Sequence, residues 1–379
     1  MKISYNWLKR YADPGVSVEE LSEMLTNSGL EVESMEKFQS VKGGLEGIVI
    51  GKVLSCTKHP NADKLSLTTV DIGGDAPLPI VCGAPNVAEG QKVVVATVGT
   101  TLYAGEQSFE IRKANIRGEV SEGMICAEDE VGLGSSHEGI MVLDDDAVPG
   151  TPAKEYFGVT EDIVFEIGLT PNRTDATSHI GAARDLVAVI NSRQGKGTVR
   201  LNIPSVDGFS APDSKAEFPV EVLDTTACPR FSGLTISNVK VKESPRWMQD
   251  LLLAVGIRPI NNIVDITNFV LMETGQPLHA YDAEAIEGGK VAVRKAHKGE
   301  KFITLDEVER ELTEDDLMIC NAAHGMCMAG VFGGEKSGVT EKTVRIFLES
   351  AHFDPATIRK TARHHNLSTD ASFRFERGA

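Results

Sequence analysis

The sequence predicts a multidomain α+β protein in which a small β-barrel is inserted in a small α+β domain and a mixed α/β domain follows. Three observations lead there. The length of 379 residues exceeds what one ordinary core organises, since domains cluster around ~100 to 200 residues. Between Glu46 and about Leu143, helical periodicity gives way to short β-rich runs broken by Gly, Pro and Asn turns. Near residue 205 the chain turns rich in Gly, Ser, Pro and Asp, which is linker chemistry.

The elements follow in order. Residues 17–29 read as a helix: Ser17 and Glu20 fit an S-x-x-E capping box, Val18, Leu21 and Leu25 share a face, and Gly29 ends it. GLEVES then reads as a strand. GIVIGKVLSC, LSLTTVDI, KVVVATVG and FEIRKANIRG supply barrel strands, because closing a sheet on itself removes exposed edges. After Pro149 to Pro152, DIVFEIGLT reads as a strand, and Ile180, Ala183, Leu186, Val187 and Ile190 as one side of a helix. This piece completes the N-terminal unit across the inserted barrel. The expected domains are residues 1–40 with 150–200, residues 41–149, and residues 205–379. The last alternates strands with helices, one announced by Ser244 and Pro245 as N-cap and first turn, carrying Trp247, Leu251 and Val255, and closed at Gly256.

Composition narrows the function. No stretch approaches the roughly 18 apolar residues of a membrane span, and MKISYNWLKRYADPG lacks a signal-peptide core, so a cytoplasmic protein without a membrane partner is expected. Six cysteines, Cys56, Cys82, Cys126, Cys228, Cys320 and Cys327, form no C-x-x-C pair; they read as reduced thiols, with no metal site. A net charge of −17 repels polyanions, so any RNA contact must use local basic patches.

Three blocks within the β-rich stretch, GKVLSCTKHPNADKLSLTTVDIGG, PIVCGAPNVAEGQKVVVA and IRKANIRGEVSEGMICAEDEVGLG, together resemble the tRNA-binding, oligonucleotide-binding barrel shared by several synthetases. Such barrels grip backbone with basic side chains. Lys52, Lys58, His59, Lys64, Arg112, Lys113 and Arg117 are the candidate positive strip; the competing reading is solvated strand-face charge.

The other blocks complete the resemblance. MKISYNWLKRY with GLEVES, and EIGLTPNRTDATSHIGAARDL, resemble the opening and the post-barrel segment of bacterial phenylalanine–tRNA ligase β subunits. GIRPINNIVDITNFVLMETGQPLHAYD, AGVFGGEKSGVTEKTVRIFLESAHFDP and RKTARHHNLSTDASFRFERG resemble the α/β B3/B4 editing domain of that family, so the likeness covers essentially the whole chain in the family's domain order.

The resemblance implies an enzyme that attaches phenylalanine to its tRNA using ATP and Mg2+, built with an α subunit as an α2β2 tetramer. It implies no cofactor within this chain, and a family subunit that continues beyond FRFERGA. It implies editing of tyrosyl-tRNA, which is physically needed because a pocket built for the phenylalanine ring rejects an added hydroxyl only about a hundredfold. A buried carboxylate suits the second sieve, since phenylalanine would leave it unpaired. By family motif that carboxylate is Glu349, with Gly333, Pro277 and Ala371 in the substrate pocket and His279, Thr267, Asn268 and Thr369 serving hydrolysis. His279 is expected to orient water rather than abstract its proton. Arg359, Lys360 and Arg363, in RKTARHH with His364 and His365, are placed to meet phosphates of the acceptor end. The bland alternatives are a strand-end salt bridge for Glu349, a hydrogen-bonded turn for His279 and a solvated helix face for the basic run.

Some features lead elsewhere. His365-Asn366 replaces the family's His-Gly pair. His179-Ile180-Gly181 lacks the final histidine of a HIGH tetrad, and FGGEKSG lacks P-loop spacing, so nucleotide binding is not expected. The runner-up function is a non-catalytic RNA-binding scaffold, and a third is a free-standing deacylase.

Overall fold

Val93, Val94, Val95 and Ala96 are buried one after another, because their strand has core on both faces. The structure, a computed structural model, describes residues 1–104, 107–210 and 217–378. This strand, Lys92–Thr97, is the hub of a unit spanning Lys37–Asp162. It pairs with Ile48–Lys58 on one side and with Gly123–Ile125 and Val142–Leu143 on the other; beyond Ile48–Lys58 come Ser66–Asp71 and Leu78–Cys82, all antiparallel. The sheet curls until its ends meet: Val81 N–H donates to Ser121 Oγ at 3.1 Å and Glu122 N–H to the Pro79 carbonyl at 2.8 Å. The result is a nearly closed barrel. Strand alternation sends Val93 and Val95 to one cluster with Val53, Val70 and Ile80, and Val94 and Ala96 to another with Val41, Leu45, Ile48 and Leu102.

The other unit comprises Met1–Glu36 and Ile163–Ala379. In the helix Val18–Asn27, Ser17 Oγ accepts the Glu20 N–H at 3.2 Å, and Leu21, Met24 and Leu25 are buried. Lys2–Ser4 and Glu31–Gln39 flank Glu161–Gly168 in a three-stranded sheet, so the chain departs toward the barrel and returns on neighbouring strands. Trp7 is stacked between His179 at 4.2 Å and Phe269 at 4.4 Å, and its Nε1–H donates to Tyr11, whose hydroxyl donates to Glu273. His179 starts the helix His179–Gln194. It is fully buried, accepting the Ser4 N–H at Nε2 and bonding the Met272 carbonyl through Nδ1, and burial lowers its pKa to about 3. A satisfied core histidine explains this HIG sequence.

The core around Trp7 also takes in Leu251, Leu252 and Val255 from the region of the helix Arg246–Ala254, and Met272 from the helix Asn262–Thr274. Residues on both sides of position 205 therefore share one core, so the Gly- and Ser-rich composition there does not mark the edge of that core. One capping expectation needs correction. Ser244 does not cap Arg246–Ala254, which has no side-chain cap; its hydroxyl donates instead to the fully buried Asp265. An unpaired carboxylate at that depth would cost more than an open helix end.

A second core lies between two sheets of this same unit. One runs Val220–Val222, Val291–Lys295, Leu317–Cys320, Gly325–Met328 and Phe332–Gly333; in the other, Arg345–His352 lies between Arg230–Ser237 and Leu278–Asp282, both antiparallel to it. The helices Pro355–His364 and Asp370–Phe375 follow. Asp354 caps the first by accepting the Thr357 N–H at 2.8 Å, and Asn366 beyond its end has φ +52°. That left-handed position favours Gly, with Asn among the few other residues that take it readily, so the exchange of the family's glycine for Asn366 keeps the turn.

Candidate functional site

Strand alternation in Arg345–His352 turns Phe347, Glu349 and Ala351 to one side, and all three are buried. A carboxylate thus occupies a core position. Its register partner on Leu278–Asp282 is His279, which therefore faces the same side, and Tyr281 lies one pair further along opposite Phe347. The Tyr281 hydroxyl donates to Glu349 Oε2 at 2.6 Å. Among the described residues Glu349 Oε1 has no hydrogen-bond partner. Burial pushes the Glu349 carboxyl up to about 7, and the Tyr281 hydrogen bond opposes that rise.

His279 is half-buried, with its ring edge-on to Tyr281 at 4.5 Å between centroids. No group among the described residues hydrogen-bonds its imidazole. Burial holds its pKa down at about 4, so the ring is neutral at neutral pH. Gly333 lies against it: a Cβ there would come within 2.9 Å of both His279 Cε1 and Leu305 Cδ1. The glycine leaves room for the imidazole.

These groups line a cavity of about 70 Å³, enough for several waters. Glu349, His279, Gly333, Pro277 and Ala371 from the motif reading all reach its wall. Thr267, Asn268 and Thr369 do not. Thr267 Oγ1 donates to Val264 O at 2.7 Å within its own helix, on which Asn268 is the next residue. Thr369 is the N-cap of Asp370–Phe375, accepting the Ser372 N–H at 3.0 Å and donating to Val331 O at 3.0 Å. It ties the segment bearing Ala371 to the cavity wall at Val331. The sequence reading missed Cys327, Val331 and Phe375 as wall residues and Tyr281 as the partner of Glu349. The two-residue step from His279 was the available signal for Tyr281.

The basic candidates divide by setting. On the barrel unit Lys58, Lys64 and Arg117 are exposed, Lys52 is half-buried, Arg112 pairs with Glu110 at 3.0 Å and Lys113 with Glu122 at 2.6 Å. His59 departs from the expected strip: it is buried, Nδ1 accepts the Asn61 N–H at 3.0 Å, and Nε2 bonds the Ile116 carbonyl at 3.1 Å. Its polar atoms are spent on holding a turn. In the other unit Arg363 is exposed, Arg359 donates to the Glu376 carbonyl, and Lys360 lies 3.7 Å from Asp315. His365 is turned inward, with Nε2 at 2.9 Å from the buried Asp316, and so is withdrawn from any phosphate-binding face.

Comparison with known proteins places these features. Residues 48–152 match the sequence model of a tRNA binding domain, and residues 227–379 match that of the B3/4 domain. The chain is 56% identical over 378 residues to a phenylalanine–tRNA ligase β subunit of Bacteroides fragilis and 56% identical over 380 residues to that of Porphyromonas gingivalis, covering all of this chain and 46% of each relative. The chain belongs to the phenylalanine–tRNA ligase β-subunit family. It spans about half the length of these relatives and of the Salinibacter ruber β subunit, to which it is 48% identical over 390 residues. Within this family membership, the Glu349 cavity falls wholly inside the B3/4 match and the exposed Lys58, Lys64 and Arg117 inside the tRNA binding match. No helix among the described residues is long and apolar enough to cross a membrane.

Proposed function

We propose that this chain is the tRNA-handling and editing part of a phenylalanine–tRNA ligase β subunit, and that the Glu349 cavity hydrolyses tyrosine esterified to the phenylalanine-accepting tRNA. The observation that carries this is a buried carboxyl with one oxygen held by Tyr281, at a cavity that it lines together with the unbonded histidine paired beside it on the next strand. The phenolic hydroxyl of a tyrosyl ester donates to Glu349 Oε1, while its ring lies against Val331, Phe375 and Pro277. A phenylalanyl ester satisfies the same walls but leaves the carboxylate unpaired, a penalty of about 1–3 kcal/mol.

His279 orients the attacking water. A ring held at about 4 is a weak base, which favours hydrogen bonding to water over complete proton removal. Water adds to the ester carbonyl, the bond from carbonyl carbon to ribose oxygen breaks, the ribose oxygen takes up a proton, and free tyrosine leaves. Thr267, Asn268 and Thr369 act from behind the wall by fixing its shape. Lys58, Lys64 and Arg117 contact tRNA phosphates on the barrel, and Arg363 does so near the acceptor end.

In the complete enzyme this chain works in the cytoplasm with an α subunit, in an α2β2 tetramer that charges tRNA with phenylalanine using ATP and Mg2+. Among the described residues no three His, Cys, Asp or Glu side chains gather to hold an ion. Aminoacylation is assigned to the α subunit on the strength of the family resemblance. The test is hydrolysis of tyrosyl- and phenylalanyl-tRNA, both on the phenylalanine acceptor, by the complete enzyme and its Glu349→Ala and His279→Ala variants. Selective loss of the tyrosyl ester, abolished by Glu349→Ala and slowed by His279→Ala, supports editing here; an enzyme that clears neither ester leaves a non-catalytic scaffold.

A further inference from the structure

Tyr281 is fully buried, and its hydroxyl sits between Glu349 Oε2 and the Cys327 thiol. We infer that Tyr281 is the positioning residue that presents Glu349 to the substrate: by holding Oε2 it leaves Oε1 to meet a ligand in the cavity, so selection for a phenol-bearing aminoacyl ester depends on the Tyr281 hydroxyl. This deepens the editing reading and rests on it.

Among the described residues, Tyr281 is the group that hydrogen-bonds the Glu349 carboxyl. The strand Leu278–Asp282 contributes His279 and Tyr281, the strand Gly325–Met328 contributes Cys327, the segment before Arg230–Ser237 contributes Cys228, and the helix Asp370–Phe375 contributes only Ala371 and Phe375. No lysine or arginine is among them, and His279 is neutral at neutral pH. The two influences on the Glu349 carboxyl are burial, which favours the neutral acid, and the Tyr281 O–H, which favours the anion. A separation of 2.6 Å is that of a charge-assisted bond. Glu349 is then a carboxylate between two phenols, one built into the fold and one arriving with the substrate. Without the built-in phenol the acid stays protonated, no charge is left unpaired by phenylalanine, and discrimination falls.

Tyr281→Phe removes one oxygen and keeps the ring against His279 and Phe347. The experiment measures kcat/KM for tyrosyl- and phenylalanyl-tRNA from about pH 6 to about pH 9 with the complete enzyme, its Tyr281→Phe variant and its Glu349→Gln variant. The Glu349 carboxyl is followed in parallel by carbon NMR on labelled glutamate. The expected result is a roughly five- to tenfold loss of tyrosine preference at pH 7 in Tyr281→Phe, recovered as pH rises, with the carboxyl titrating at higher pH than in the parent. An unchanged pH profile in Tyr281→Phe alongside lost preference in Glu349→Gln overturns the inference. So does an equal fall for both esters at every pH, which is what a purely structural tyrosine would give. A parent enzyme that hydrolyses neither ester refutes the editing reading instead, and the NMR titration still decides whether Tyr281 controls the carboxyl: an unmoved resonance refutes that as well.

Discussion

Replacing Glu349 by glutamine should stabilise the protein increasingly as pH rises from about 4.5 to about 7, and by a nearly constant amount above that. Burial raises the carboxyl from 4.5 to about 7, and at 5% exposure solvent gives it little relief. The folded state therefore binds the proton more tightly than the unfolded chain. The stability this confers is complete below about pH 4.5 and is lost as pH rises through about 7. At 1.36 kcal/mol per unit, the charged carboxylate at about pH 8 costs about 3 kcal/mol relative to the protonated acid. Glutamine has the same shape and still accepts from Tyr281, yet carries no charge. Urea unfolding is expected to show Glu349→Gln more stable than the parent by up to about 3 kcal/mol at about pH 8, with most of that gap closed at about pH 5. Both tryptophans of this chain, Trp7 and Trp247, lie in the unit that contains Glu349, so in the isolated chain their fluorescence follows the relevant transition. The lowered pKa of His279 has the opposite sign, with stability lost on acidification from 6.5 toward about 4, but both proteins share it and it cancels in the difference. A gap independent of pH, or a parent more stable than the variant at about pH 8, would refute the account of Glu349 as a desolvated carboxyl.

Three further outcomes follow from the packing and the surface. Trp7→Ala should destabilise its unit by about 3–5 kcal/mol in the same unfolding assay, because it removes a ring stacked on both faces and a buried hydrogen-bond donor. Asn366→Gly should leave the melting temperature nearly unchanged while Asn366→Val costs about 1–2 kcal/mol, since φ is +52° there. In tRNA-binding titrations over a range of salt, Lys64→Ala and Arg117→Ala should each weaken binding and lower the salt slope by about one, whereas Arg112→Ala, already paired with Glu110, should change it less.

What was legible in the sequence follows from which forces leave a local trace. The barrel could be read because each strand carries its own alternation and turns, and KVVVA announces a strand buried on both faces. Glu349, Gly333, Pro277 and Ala371 were legible through motif resemblance, and their meeting at one cavity is the work of strand register and of the Thr369 cap. The bonding of His59, His179 and His365 was not legible. Each is held by a group far along the chain, to Ile116, Met272 and Asp316 respectively, and a histidine's local sequence does not say whether its nitrogens are taken. The same holds for Ser244, whose proximity to Pro245 suggests a cap until Asp265 is brought beside it by the fold. Tyr281 stood two residues from the chosen histidine, but its value lies in the partner across the sheet, 68 residues away.

The two site groups are moved in opposite directions by one cause. Burial lifts Glu349 to about 7 and drops His279 to about 4, so each is biased toward its uncharged form, and only Glu349 has a neighbour that pulls it back. This orders the titrations: His279 is already neutral throughout the range in which Glu349 changes charge. Preference for the tyrosyl ester should therefore rise through a single limb centred near pH 7 as Glu349 ionises, without a second limb from the histidine above about pH 5. The measurement is kcat/KM for each ester against pH, with the ratio of the two isolating the limb that belongs to Glu349. A second inflection near pH 6.5 that disappears in His279→Ala would mean that the imidazole is solvated and takes the proton itself, and the division of labour assigned to these two residues would have to be reversed.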